Sequence, residues 1–545
     1  MRPLQVRRPL QKLWPVLLVL LCALRAVSQS SSAQEASDTG GRVVLVLPFD
    51  NRTGQANLAW IGDSFPDTLN QRLASVGFLT ITHDDLQYAL DHLGLPVDFK
   101  PSRATTIRIA QTLDANFVIV GSYTVNGSRI AVQAQVLEVD KLRLSPPIAD
   151  SSELTRLFDV ENAVAWKVAR QIDPHFNVAQ QTFLAASGGV RLTAFENYIR
   201  GTDAIAAQER IKRLKMAIQD TPDYPAALLA LGKAQFAQRD YDEAAATLAK
   251  IARSDRRALE AGFYIGLARF NTAKYAEAES AFAFVASRLP LPEVVNNQAV
   301  ASSRQGHDAV PLFQRASTAD PNDADYHYNL SVALLRRGDF AGAQREVDQT
   351  LKLHPSDAEA SALKAGINAG RHITPATNKD ATADSSDFAP LERIRRTYSE
   401  ASFRQAAFQL DQMRLARMAT LPPAEQAAQY TQLGHEYLAQ GLIPEAEQEF
   451  QAAIAADRSS ATAHAGLAQV REHSGDAPNA RAEAQTSLNL HPNVPAYLVL
   501  ARLDLQANQP SSSASNVSKA LQLDPKDSAA QGMRQALQAR GQSLP

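Results

Sequence analysis

Gly232 and Gly266 lie 34 residues apart, as do Ala244 and Ala278, Leu248 and Phe282, and Arg256 and Pro290. Four markers sharing that spacing constrain the chain more than any other feature, because a period near 34 belongs to a tiled helix–turn–helix unit. In each copy a small residue follows the glycine by 12 positions and a large apolar one follows by 16. This puts one small side chain on each of two antiparallel helices, so the backbones approach closely and the large side chain packs across the crossing. One hairpin cannot cover its own apolar face, so several must stack.

The pattern recurs. Asn297, Ala309, Phe313 and Pro321 repeat it after a shift of 31, and Ser331, Ala343, Val347 and Pro355 after a further 34. Tyr198–Gly201 with Ala217–Pro222 form a degenerate first copy. Gly434, Ala446, Phe450 and Arg458 restart the pattern, Ala468, Ala480, Ala484 and Pro492 continue it, and Ala501, Ser513, Val517 and Pro525 follow. Proline after Asp or His, as at Asp320-Pro321 and His491-Pro492, ends the second helix of a unit. With the pairs Leu231-Gly232 and Leu433-Gly434, with Tyr437 and with the Phe282/Phe313/Phe450 position, this stretch resembles the tetratricopeptide repeat family. The resemblance implies two all-α superhelical arrays, at 190–370 and 391–540, the second ending in a capping helix over Asp527–Arg540. Between them, residues 371–390 break the pattern. Asn378–Asp387 is small and polar and reads as a flexible linker. Leu391–Met418 reads as a return to helix, with Phe403, Ala406, Leu410 and Met413 as a degenerate unit.

Ahead of the repeats, residues 42–174 read as an α/β sandwich, so the whole chain is α+β and multi-domain. Arg42–Leu47 is a buried strand. Leu58–Ala74 has helical spacing, Gly77–Thr82 is a short strand, and His83–Leu93 and Thr105–Leu113 are helices. Asn116–Val125 and Arg129–Val139 alternate as strands around Asn126-Gly127, a hairpin signal. Glu153–Ile172 reads as one long amphipathic helix. Val46-Leu47-Pro48-Phe49-Asp50-Asn51, Trp60-Ile61-Gly62-Asp63-Ser64 and Ala115–Tyr123, in that order, resemble the amino-terminal domain of TolB and its relatives. In that family the domain is a noncatalytic docking module.

The first 33 residues read as an export signal: Arg2, Arg7, Arg8 and Lys12 precede the apolar run Leu13–Leu24, which is short for a bilayer span. Cleavage is expected after Ser28 or Ala33. The single cysteine, Cys22, lies inside this segment. A bacterial lipoprotein signal has a cysteine at such a place, although Leu21 stands where a small residue belongs. The expected location is therefore the periplasm or the bacterial envelope, with association through the N-terminus as the membrane-bound alternative. A formal net charge of −2 without a basic stripe argues against nucleic acid as the main partner.

Family geometry points to the residues lining a concave face for partner proteins or peptides: Lys233, Phe236, Phe263, Phe270, Asn271, Tyr328 and Arg336 in the first array, and Thr431, His435, Gln469, His473 and Arg502 in the second. The first groove reads as aromatic with a few charges, suited to an apolar peptide or helix, while the same aromatics could equally pack between units. The family's lysine/asparagine clamp for C-terminal carboxylates is not reproduced.

Catalytic signals are weak. Gly62-Asp63-Ser64 matches the start of one serine-esterase class, but none of the 11 histidines has Asp three residues before it, so Ser64 lacks a base. Helix capping is the preferred reading of Asp63-Ser64. No zinc spacing and no phosphate-binding glycine loop occurs, so neither a metal nor a cofactor is expected. The expectation is a non-catalytic interaction scaffold of the bacterial envelope. The alternatives are a lipid-anchored envelope-assembly or secretion accessory and, least favoured, a hydrolase using Ser64.

Overall fold

The computed structural model describes residues 42–96, 102–185, 189–372, 388–397, 409 and 412–543. Residues 1–33, read as an export signal, with Cys22 among them, linker residues 373–387, and Phe403, Ala406 and Leu410 of the expected degenerate unit lie outside the described residues. The described part combines one mixed sheet with arrays of paired helices, an α+β multi-domain architecture.

Seven strands form the sheet: β1 (Val43–Val46), β2 (Asp50–Asn51), β3 (Leu79–Thr80), β4 (Phe117–Asn126), β5 (Arg129–Glu138), β6 (Arg143–Leu144) and β7 (Ile148–Glu153). The order is β3-β1-β4-β5-β6, with β2 beside β4 and β7 beside β5. β1 runs parallel to β3 and β4, whereas β5 is antiparallel to β4, β6 and β7. The side-chain period of two decides the faces. Val44 and Val46 point to a core with α1 (Trp60–Ala74) and α4 (Leu157–Ile172), while Leu45 and Leu47 point to one with α2 (His83–His92) and α3 (Arg103–Thr112).

Three local expectations are corrected. Asn126 pairs with Arg129, so the hairpin loop is Gly127-Ser128, with Gly127 at φ +62°; glycine first in a two-residue loop fits the strand twist. Residues 148–153 form β7, and the long helix begins only at Leu157. Asp63 lies in the first turn of α1 and Ser64 inside it, so neither caps the helix, whose cap position is Ala59.

Helical hairpins follow from Leu192–Thr202 with Ala207–Asp220 onward. Their contacts show why the markers recur. A Cβ on Gly232 would sit 2.4 Å from Leu248, and one on Gly266 would sit 2.6 Å from Phe282. Where serine stands at the glycine or the small position its hydroxyl reaches across: Ser331 donates to the Ala343 carbonyl at 2.7 Å, and Ser513 to that of Ala501 at 2.8 Å. The turns carry a second repeated device. Arg239, Ala273, Gly306, Gly338, Gly441, Gly475 and Asn508 all adopt positive φ just after a first helix, the left-handed residue that ends helices by satisfying their last carbonyls.

The cores are not separate. The cluster around β1 and α1 continues through Phe195, Tyr198 and Leu214 to Leu231, so the sheet domain and the first repeats share one interior. The helix α5 (Gln180–Ala185) in turn contacts the second array: the Ala179 N–H donates to Glu447 at 3.0 Å and Ser474 to Thr182 at 3.2 Å.

Candidate functional site

Residues 388–397 of the same chain lie against the helices Pro292–Arg304 and Ala324–Arg336 and the start of Ala358–Asn368, along the side that family geometry assigns to the groove. Residues 391–397 are not helical, which corrects the expected start of the second array. The segment is extended because its main chain is satisfied from outside. The Arg393 N–H donates to Asn329 Oδ1 at 2.6 Å, and Asn329 Nδ2 donates back to the Arg393 carbonyl at 2.8 Å. Two residues on, the Arg395 N–H donates to Asn297 Oδ1 at 2.8 Å, and Asn297 Nδ2 returns a bond to the Arg395 carbonyl at 2.7 Å. In an extended chain residues i and i+2 present both main-chain groups to the same side. Each carboxamide therefore acts like one residue of a neighbouring strand. Asn296 adds a 3.2 Å bond to the Arg393 carbonyl and accepts from Asn329 at 2.8 Å. All three asparagines are fully buried.

Side chains alternate between two environments. Glu392 and Ile394 face inward. The Glu392 carboxylate, wholly buried, is held by Arg336 and by the Ser303 hydroxyl, with Arg304 Nε at 3.6 Å. Ile394 packs against two apolar clusters, as Phe270 and Leu312 also do. Arg393 and Arg395 face carboxylates. Arg393 bonds Asp325 and Asp357 at 2.8 Å and Glu359 at 2.8 Å, and lies 3.9 Å from the Tyr328 ring centre. Burial works against the Arg393 charge, but the bonds to Asp357, Asp325 and Glu359 outweigh it and hold its pKa above the ordinary value. Those contacts also hold Asp357 below the usual carboxylate range, the Arg393 bond first among them. Arg395 pairs with Asp323 and Asp325 beside Tyr326. Asp323 and Asp357 have local work too, since both cap their helices. Phe388 seats its ring where a Cβ on Gly366 would come within 2.1 Å.

Of the residues expected to line the first groove, Tyr328 and Arg336 contact this segment, and Phe270 packs against the same apolar clusters as Ile394. The others do different things. Phe263 is 1% exposed, packed edge-on to Phe282 inside its hairpin, and is not on the groove surface. Asn271 donates to the Leu267 carbonyl of its own helix. Phe236 packs against Tyr241 and Tyr264. Lys233 is paired with Glu260 and with Asp84 of α2, both at 2.9 Å, so it faces the sheet domain. In the second array Thr431 bonds Ala427, His435 packs on Phe450, His473 lies 2.9 Å from the carbonyl of Gln469, and Arg502 forms a bidentate pair with Glu472 at 2.6 Å.

Ser64 is fully buried. Its hydroxyl donates to the Ile61 carbonyl at 2.8 Å and lies 2.5 Å from Glu161. Burial pushes the Glu161 carboxyl up to about 8, so near neutrality it is protonated. Among the described residues no group of His, Cys, Asp and Glu is placed to hold a metal ion, and no helix is long and apolar enough to cross a membrane.

The tetratricopeptide repeat family matches residues 203–258, 229–288, 301–367 and 431–495, all within the paired helices. No curated protein matches the chain. Among solved structures, MamA from Desulfovibrio magneticus RS-1 is 18% identical, covering 31% of this chain and 99% of its own, with a TM-score of 0.29. YrrB, described as a TPR protein with an unusual peptide-binding site, is 15% identical over 37% of this chain and 98% of its own, with a TM-score of 0.28. The C-terminal domain of LpoB from Salmonella enterica is 28% identical over 21% of this chain and 84% of its own, with a TM-score of 0.18. The helical hairpins that carry the groove are thus tetratricopeptide repeats, and protein–protein interaction is the work that such repeats imply.

Proposed function

We propose that this chain is an exported, non-catalytic scaffold of a bacterial cell envelope, holding extended segments of partner proteins in the groove of its first array. One observation carries the reading: Asn297 and Asn329 each satisfy both main-chain groups of one residue in an extended segment. Side chains that read main chain accept many sequences, while the flanking charges select among them. Export rests on the basic and apolar N-terminal residues. The sheet domain, read as TolB-like, would dock to an envelope component. Affinity capture from envelope extract is expected to recover partner proteins with the wild-type chain and to lose them with Asn297→Ala and Asn329→Ala. Recovery of the same set by both would overturn the assignment to this groove. Mass spectrometry of the mature N-terminus tests export: a terminus after residue 28 or 33 supports a free exported protein, a lipidated Cys22 supports the anchored accessory, and an uncleaved Met1 overturns both.

A further inference from the structure

Without residues 388–397 the groove would hold two unbalanced sets of charge. Arg304 and Arg336 would face Ser303 with no carboxylate between them, because Glu392 supplies it. Opposite them, Asp323, Asp325, Asp357 and Glu359 would gather without Arg393 and Arg395. Like charges gathered without counter-charges repel, so the groove matches an occupant with an acid, then Arg, then an aliphatic residue, then Arg. The chain's own Glu392-Arg393-Ile394-Arg395 has this order.

The groove reads that occupant in a way another chain can reproduce. Within the segment, the asparagines bond only main chain, which every extended segment carries. The inward site takes one carboxylate and one aliphatic side chain. Arg393 and Arg395 lie over Tyr328 and Tyr326 and are partly open to solvent. Leu391 contributes little, being 56% exposed.

Building on the scaffold reading, we propose that residues 388–397 are a built-in competitor, occupying the first groove until an extended partner segment of the pattern acid–Arg–aliphatic–Arg replaces them. Tethering gives the internal segment an effective concentration of order millimolar. A partner must therefore out-compete it, and weak chance binders are excluded.

The test uses the full chain and a fluorescent peptide with the sequence of residues 388–397. Fluorescence anisotropy is expected to show binding to the double variant Arg393→Ala/Arg395→Ala at least about tenfold tighter than to wild type, since the groove is intact and its occupant weakened. Adding Asn297→Ala and Asn329→Ala to that variant is expected to abolish binding. Hydrogen exchange at the Arg393 and Arg395 amides of the wild-type chain is the second readout, and needs no substitution. Both are expected to be protected in the free protein and to lose protection when excess peptide is added. Equal affinity for wild type and the release variant overturns the proposal. So does protection that survives saturating peptide, or equal binding of a peptide whose two arginines are exchanged for glutamates. Dimers that form in wild type and vanish in the release variant also overturn it, since the segment would then be serving a second copy. Failure here leaves the scaffold reading to be judged on capture of envelope proteins. Success here with no envelope protein captured would overturn that reading and leave this one.

Discussion

Asn297 sits where the 34-residue pattern expects a packing marker, yet its carboxamide faces Arg395. Nothing local announces this, because the groups it satisfies are about a hundred residues further on. Tyr328 and Arg336 could be placed on the concave side from family geometry alone, whereas the acids and Arg304 facing the segment could not. In the sequence an aromatic on a first helix looks the same whether it points to the groove or, as Phe263 does, into its own hairpin. Phe263→Ala is accordingly expected to lower stability by about 3–5 kcal/mol through the cavity it opens, measured by urea denaturation, whether or not a partner is present. The positive-φ turn residues allow a stabilising change. Ala273 holds φ +57°, so Ala273→Gly relieves left-handed strain and raises unfolding free energy by up to about 1 kcal/mol after glycine's entropy is counted. The same denaturation curve checks it.

At the scale of elements, α1 and α4 meet across a buried carboxyl. Glu161 on α4 lies between Ser64 and Thr68 of α1 with its pKa at about 8, raised first by burial. Asp203 is raised to about 7, by burial and then by Asp63 and Asp67. His327 and His464, each bonded to a glutamate of its hairpin partner at 2.7 Å, are raised as well. A group raised in the folded state stabilises below its unfolded pKa, and that contribution is lost as pH rises through the folded value. All four therefore act in one direction, and between pH 6.5 and 8.5 the urea midpoint is expected to fall. Glu161→Gln keeps the shape and removes the largest part of the slope. A variant midpoint that falls as steeply as that of wild type would refute the assignment. The hairpins themselves were legible because glycine, alanine and phenylalanine at fixed spacing describe a crossing that is closed locally. β7 was not legible: Ala149 to Ser152 are small and polar, and the strand exists because β5 offers it an edge.

At the scale of the molecule, the sheet domain touches both arrays. Arg200 donates to the Asn57 carbonyl at 2.6 Å, and Arg256 to that of Gln71 at 3.0 Å. From the other array, Gln448 donates to the Val76 carbonyl at 3.3 Å. Glu447, buried, pairs with Arg471 at 2.7 Å while accepting from the Ala179 N–H. Glu447→Ala leaves Arg471 unpaired and is expected to cost about 3–5 kcal/mol. It should also loosen the second array from the sheet domain, read as faster hydrogen exchange at residues 176–185. Unchanged exchange there would show that the contact does not hold the arrays in place.

The sequence alone was enough for the repeating hairpin and for the alternating strands, because both follow from side-chain periods along a single element and need no distant partner. It could not show that residues 388–397 lie in the first groove, that the sheet domain and first repeats share a core, or that Ser64 is closed off beneath Glu161. Those depend on which surfaces meet after the elements form, and burial, charge pairing and main-chain satisfaction are decided only at that meeting.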